Sequence, residues 1–447
     1  MVKIKDAVHT AGKEEAVIGK RLIPVLLAPV LIFILSACQA GTGTGSGPDT
    51  SASTEVSLAQ SVLSPAQTDS EPPADSATAN SHPVKVTLSH GETGMAAQAL
   101  RALVSAFNLE NAAGVTVEIT DGVPEEADAD MVILDADAFM QAADSAAALD
   151  DLIAAGFDNY EDILQPFRDQ SVLSGAIRGI PLDAEGGVLY YNRELFEELE
   201  LSVPDTAAAL KSCGQTLMEQ REMPLLCTDD PAGLLELFLR QNGTEMIAGN
   251  RAVFENAEGR KTMQTLLPML EQDHLVYCRD GRSAGEAFLE KRAAAYVGRN
   301  TDLVTLRDAG FEVGCAPVFR GETGAAPARA RMLAITTSAR DRQEGCFAFM
   351  RYLTDTDTGA KWAVATGRLP VRNSAYRSDM FAGYTEYDDA AMAAREETDA
   401  FYVPAECDDY TGGIVRTLLE DYAARGVMSD EACRALAEEL NTVLSAE

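Results

Sequence analysis

From Val84 onward, short apolar stretches alternate with segments of helical period, which limits the body of the chain to an α/β layer structure. VKVTL at 84–88 is strand-like, and 94–108 then carries Met95, Ala99, Leu103 and Phe107 at helical spacing. Residues 115–119 and 131–134 read as further strands, each followed by polar turn residues. Later strands are expected at 187–191, 224–227, 293–297, 312–315 and 332–336. Between them the spacing predicts helices near 193–200, 205–220, 231–241, 256–272, 283–291, 341–354 and 356–366. The last 70 or so residues read as helical, closing in an amphipathic segment over 430–444. No repeat of fixed period runs through the body.

A chain of 447 residues has room for two or three domains with full cores. With 46% apolar and 24% charged residues, it is globular in composition. Its 70 Asp and Glu against 36 Lys and Arg exclude a general nucleic-acid binder, because neutralising phosphates needs clustered cations. The same imbalance opposes docking on anionic lipid through protein charge. A solvated, self-repelling surface is the expected use of those acids.

The N-terminus has a different character. Lys3, Lys5, Lys13, Lys20 and Arg21 precede an uncharged run over 22–37 that contains two prolines. Sixteen residues are short for a spanning helix and suit the apolar core of a signal peptide. The run ends in Leu35-Ser36-Ala37-Cys38, which resembles the bacterial lipoprotein box. Small residues before the cut fit a narrow peptidase cleft, and the Cys38 thiol is placed to take a diacylglyceryl thioether. Residues 1–37 therefore read as a lipoprotein signal peptide and Cys38 as the lipidation site. Removing that segment, net +2, takes the formal charge from −34 to −36. Residues 38–83, rich in Gly, Ser, Thr, Pro and Ala, read as a lipid-anchored flexible linker with a root-mean-square reach of about 35–40 Å.

Seven cysteines remain after Cys38 (213, 227, 278, 315, 346, 407 and 433), an odd number that cannot all pair within one chain. No C-x-x-C occurs, so neither a zinc knuckle nor a redox motif of that spacing is indicated. Buried free thiols are the main expectation, with a Cys213–Cys227 bridge as the alternative.

Catalytic constellations are not apparent. Of four histidines, His9 and His82 lie in the leader and linker, while His90 and His274 are far apart in sequence. The body contains no H-E-x-x-H, Ser-x-x-Lys, Walker loop or G-x-G-x-x-G. Asp355-x-Asp357-x-Gly359 faintly suggests a calcium loop, but its twelfth position is Thr366 rather than a bidentate Glu. Those aspartates are expected to cap the helix containing Trp362 instead. Asp183 and Glu185 are paired acids of the kind a glycosidase uses, with nothing else to support that chemistry. No enzyme activity, cofactor or metal is expected.

Four segments, in order over about 360 residues, carry a resemblance. They are Arg178-GIPLDAEGGVLYYNRELFEEL-Glu200, Phe288-LEKRAAAYVGRNTDL, Gly314-CAPVFRG and Leu353-TDTDTGAKWAVATGRLPVRNSAY. Together they resemble the family 1 extracellular solute-binding proteins of ABC importers, the maltose and glycerol-3-phosphate type. The resemblance implies a two-lobed periplasmic-binding-protein-like α/β fold with hinge crossovers and a helical C-terminal region. Lobe 1 is expected to hold 84–187 plus 319–366, and lobe 2 to hold 188–318 plus 367–447. A small polar solute, carbohydrate or polyol-like, would sit in the interlobe cleft and pass to ABC permease subunits. The carrier is expected to be a monomer, tied to the membrane through Cys38 and binding no nucleic acid. A two-lobed scaffold used for sensing or surface interaction is the alternative.

Carried over position by position, the resemblance offers Glu92 and Thr93 after the first strand, and Asp135 and Asp137 after the third. Asp183 and Glu185 precede the hinge, while Asp230, Arg299, Asn300 and Tyr410 lie on lobe 2 loops. Carboxylates and guanidinium groups suit hydroxyl recognition because their hydrogen bonds are charge-assisted and often bidentate. Leu134, Leu182, Ala232, Arg299 or Asn300, and Gly412 or Gly413 stand where the family commonly carries stacking aromatics, which argues against a long maltodextrin. Trp362 is expected to be packed, and Arg299, Arg368 and Arg372 to be solvated or paired with acids.

Overall fold

The computed structural model describes residues 83–120, 128–143, 145–279, 281–405 and 407–445. The leader, Cys38 and the linker lie outside the described residues. No helix among the described residues is long and apolar enough to cross a membrane.

β1 (Val84–Ser89) lies between β2 (Val115–Thr120) and β3 (Met131–Leu134), parallel to both. The helix Gly94–Glu110 connects β1 to β2 and buries Ala99, Leu103 and Phe107 as the spacing predicts, together with Leu100 and Val104, while Met95 of the predicted face is exposed. A two-residue hairpin of β4 (Val172–Leu173) and β5 (Ala176–Ile177) leads into the long β6 (Ile180–Asn192).

β7 (Leu226–Thr228) follows, then the small hairpin β8 (Ile247–Ala248) and β9 (Arg251–Ala252). β10 (Leu275–Tyr277) runs parallel to β7, as does β11 (Ala295–Arg299). The last strands are β12 (Val313–Ala316), β13 (Ala326–Ile335) and the short β14 (Phe401–Tyr402).

Strand order across the sheet is β10-β7-β11-β6-β13-β3-β1-β2. β6 joins its two halves. Residues 180–186 pair antiparallel with β13, whereas 187–192 pair antiparallel with β11 and β12. The change of partner falls between Gly186 and Gly187. Eleven of the 13 residues of β6 are buried, the near-continuous pattern of a strand covered on both faces.

β6 begins earlier than the strand expected from sequence, and β13 begins six residues before the predicted 332. In both cases charged residues obscured the strand: Asp183 and Glu185 in β6, Arg329 and Arg331 in β13. Antiparallel register sets Asp183 opposite Arg331, which it pairs with, and Glu185 opposite Arg329, although Glu185 pairs instead with Arg368 and Arg299. β10 also forms where no strand was expected, its three residues being too few to show a period.

The helices follow the predicted positions closely, including Pro231–Gln241 and Thr356–Thr366. Asp355 caps the latter, accepting from the Asp357 amide at 3.3 Å, and Trp362 is fully buried within it. Asn192 caps Arg193–Glu198 by accepting from the Leu195 amide. At the C-terminal end, Asp409–Arg425 and Ser429–Leu444 pack on Ala257–Glu271.

Candidate binding site

At the point where β6 changes partners, charged side chains form a continuous ladder. Asp183 is fully buried and takes Arg331 in a bidentate pair, from Nε at 2.8 Å and Nη2 at 2.5 Å. Trp362 Nε1–H donates to the same carboxylate at 2.6 Å. Burial alone would raise the Asp183 carboxyl, but the Arg331 guanidinium, with Arg368 and Trp362 behind it, holds the group below its ordinary value. Arg331 also reaches Glu92, whose side chain is nearly buried. The guanidinium therefore ties the turn after β1 to β6.

Glu185 is the second rung. It accepts from Arg368 Nη1 at 2.6 Å, Arg299 Nη1 at 3.1 Å and Thr301 Oγ1 at 3.1 Å. Arg299 and Thr301 belong to the turn that ends β11, so Glu185 links that turn to the β13-paired half of β6. The Arg299 side chain is 71% exposed. Although partial desolvation opposes it, Glu185 first, then Asp302 and Asp137, hold Arg299 above its ordinary value.

Beside this ladder runs a second one. Arg329 Nη1 donates to Asp137 at 3.2 Å, and its Nη2 donates to the Ala405 carbonyl at 3.3 Å. The Ala405 amide donates in turn to buried Glu236 on the helix Pro231–Gln241, at 2.8 Å. Burial pushes the Tyr402 hydroxyl well up, with Glu236 and Asp230 adding to the rise and Arg240 and Arg329 opposing it. Asp230 therefore lies in the same field.

The ten expected residues separate by environment. Glu92 and Asp183 are hydrogen-bonded through Arg331, Glu185 is hydrogen-bonded to Arg299, the Arg368–Asp183 ion pair at 3.9 Å links the two groups, and Asn300 is tied to β6 through the Gly186 amide. Asn300 is buried, accepting from the Gly186 amide at 2.9 Å and donating to the Gly367 carbonyl at 2.9 Å. Asp135 and Asp230 cap helices through the Ala138 and Gly233 amides. Asp137 (74% exposed), Thr93 and Tyr410 (66% exposed) stand at the surface. No hydrogen bond among the described residues connects Thr93 or Tyr410 to either ladder.

Arg331 and Arg329 were missed as participants, although their i, i+2 spacing on an alternating Ala-Arg strand was the available signal. Arg368 is paired as expected. Arg372 is buried against the carbonyls of Thr354 (2.5 Å) and Asn159 (2.8 Å). Among the described residues no cluster of His, Cys, Asp and Glu is arranged to hold a metal ion. The ladders are chemically suited to hold polar ligand groups by charge-assisted hydrogen bonds, with donors and acceptors alternating.

Comparison with known proteins agrees with this architecture. The family model described as bacterial extracellular solute-binding protein matches residues 76–394. Among solved structures, the cyclic alpha-maltosyl-1,6-maltose binding protein of Arthrobacter globiformis superposes with a TM-score of 0.70 at 21% identity, covering 82% of this chain and 100% of that one. The sugar-binding protein MalE of Xanthomonas citri gives 0.65 at 18% identity, over 81% and 98% of the two chains. UgpB of Mycobacterium tuberculosis, solved in complex with glycerophosphocholine, gives 0.63 at 17% identity, over 82% and 99%. No curated protein matches the chain in sequence. At these identities the structures establish a shared two-lobed α/β fold, while the family model establishes kinship: the chain belongs to the bacterial extracellular solute-binding proteins, which act outside the cytoplasm.

Proposed function

We propose that this protein is a lipid-anchored carrier that captures a small polar solute, carbohydrate or polyol in type, and delivers it to the permease of an ABC importer. The solute is taken between a lobe of 84–187 plus 319–366 and a lobe of 188–318 plus 367–447. The observation that carries the reading is the Glu185 node, where one strand's carboxylate is held by Arg299 and Thr301 of the turn after β11 and by Arg368. A ligand hydroxyl that bonds Arg299 and displaces part of this contact would be sensed at the crossing strand itself. Ladder acids and bases are largely matched, which suits a ligand of little net charge. The surface set Thr93, Asp137, Arg299 and Tyr410 is assigned direct contact, and Glu92, Asp183, Glu185, Asp135, Asp230 and Asn300 its support. Solute capture followed by a hinge closure requires no chemical step.

Isothermal titration of the folded chain against neutral oligosaccharides, polyol phosphates and oligopeptides tests this directly. One class is expected to bind with Kd below about 1 μM, roughly −8 kcal/mol. The same ligand raises the melting temperature because it binds only the folded state. Arg299→Ala is expected to weaken that binding by at least about tenfold, the loss of one charge-assisted hydrogen bond. Turnover of the ligand during titration, or undiminished affinity in Arg299→Ala, counts against the carrier reading and the site respectively.

A further inference from the structure

Cys227 and Cys278 lie at the carboxyl ends of adjacent parallel strands, β7 and β10. Val276 is the register partner of Cys227, and strand alternation returns Cys278, two residues later, to the same face. The Cys278 amide donates to the Thr228 carbonyl at 2.7 Å, which holds the two strand ends together just past the paired residues. Each thiol shifts the acidity of the other. The Cys227 thiol is buried and also faces the carbonyls of Ala284 at 3.6 Å and Ala295 at 4.0 Å, whereas Cys278 is half-buried. Cys213, the partner considered from sequence, instead points its thiol at the Ser202 carbonyl at 3.6 Å.

The two thiols are chemically unequal. Cys227 pushes Cys278 below the usual thiol value, against desolvation and Asp229 and with help from Arg292. Cys227 is pushed up by Cys278 and by burial. An accessible thiol favoured as thiolate beside a buried partner is the arrangement that supports thiol–disulfide exchange, with one sulfur attacking and the other resolving. The family's extracytoplasmic setting is where disulfides form and persist.

We propose that Cys227 and Cys278 are a redox-active dithiol that closes to an intrachain disulfide by exchange with a small extracellular disulfide. The Cys278 thiolate attacks one sulfur of R–S–S–R and forms a mixed disulfide, and the departing thiolate takes up a proton. Cys227 then gives up its proton and attacks the Cys278 sulfur, expelling the second R–S⁻, which takes that proton. The protein dithiol is oxidised and the small disulfide is reduced to two thiols. Closure bonds β7 to β10 immediately before the loop that carries Asp229 and Asp230, and it does so whether or not the carrier reading holds.

The test uses the full chain, reduced and then incubated folded with oxidised glutathione. Samples are acid-quenched, alkylated with N-ethylmaleimide and peptide-mapped. A single linked peptide pair containing Cys227 and Cys278 is expected, with the other cysteines alkylated. Cys227→Ser is expected to accumulate glutathione on Cys278 at least ~10-fold faster than on half-buried Cys315, and Cys278→Ser to accumulate none on Cys227. Alkylation of both thiols in the wild type after oxidation overturns the proposal. So does a Cys278 in Cys227→Ser that reacts no faster than Cys315, or a linkage to any other cysteine.

Discussion

Asp183 shows how a charged side chain comes to lie inside a strand. Desolvating a lone carboxylate is prohibitive, yet here two guanidinium hydrogen bonds and the Trp362 indole fill its acceptor sites. Asp183→Asn would leave Arg331 charged without its main partner, and is expected to lower unfolding free energy by about 3–5 kcal/mol in chemical denaturation. The pH sign follows from a folded pKa below the unfolded one. The Asp183 contribution is fully present above about pH 4 and is lost as pH falls from there through the lower folded value. Glu397 behaves oppositely. Burial pushes its carboxyl up to about 8, with the Val318 amide and Arg320 opposing and Glu396 adding. Its contribution is therefore fully present below the unfolded value near 4.5 and is lost progressively as pH rises to about 8. Glu397→Gln is expected to flatten the decline in melting temperature between pH 5 and 8, roughly the span of those two values; an unchanged slope would remove Glu397 as its source. The candidate acids at 183 and 185 were legible as residues from their place before the hinge. Their fixed partners were not, because Arg331 and Arg368 are 148 and 183 positions away from the acids they bind.

At the scale of elements, β6 depends on two small residues where it changes neighbours. A Cβ on Gly187 would stand 2.6 Å from Pro327 Cγ, and one on Gly186 would stand 2.9 Å from Leu369 Cδ1. The proline ring has little freedom to move aside, so Gly187→Ala is expected to cost about 1–3 kcal/mol by overpacking. A denaturation midpoint matching the wild type would show that the crossing is looser than this contact implies. Asn300 fastens the same place by bonding the Gly186 amide and the Gly367 carbonyl, which joins β6 to the segment beginning at Gly367. Helices were legible because each buries a 3.6-period face and most begin at a capping residue, as with Asp230, Ser283 and Asp355. The first half of β6 was not, since Pro181, Asp183 and Glu185 read as a loop until Arg331 of β13 pairs with Asp183, and Arg368 and Arg299 with Glu185.

For the whole molecule, the dominant sequence property is its charge of −34. Acid–acid repulsion across the surface opposes the compact state, and it acts over distances that salt screens readily. The internal ladders respond differently. Asp183 is fully buried and Arg331 nearly so, and pairs shielded from solvent are screened much less than exposed charges. Exposed pairs such as Lys85–Glu118 and Arg340–Glu344 do weaken in salt, but each contributes only about 0–1 kcal/mol. Raising sodium chloride from about 0.02 M to 0.5 M shortens the Debye length from roughly 20 Å to about 4 Å. Long-range repulsion is then removed while the ladders persist. Net stability is expected to rise by about 1 kcal/mol, visible as an increase of roughly 2 °C in melting temperature. Asp183→Asn, which breaks a ladder without touching the surface, is expected to show the same increment from a lower starting point. A melting temperature that falls with salt would mean that exposed ion pairs, rather than self-repulsion, set the charge balance of the fold.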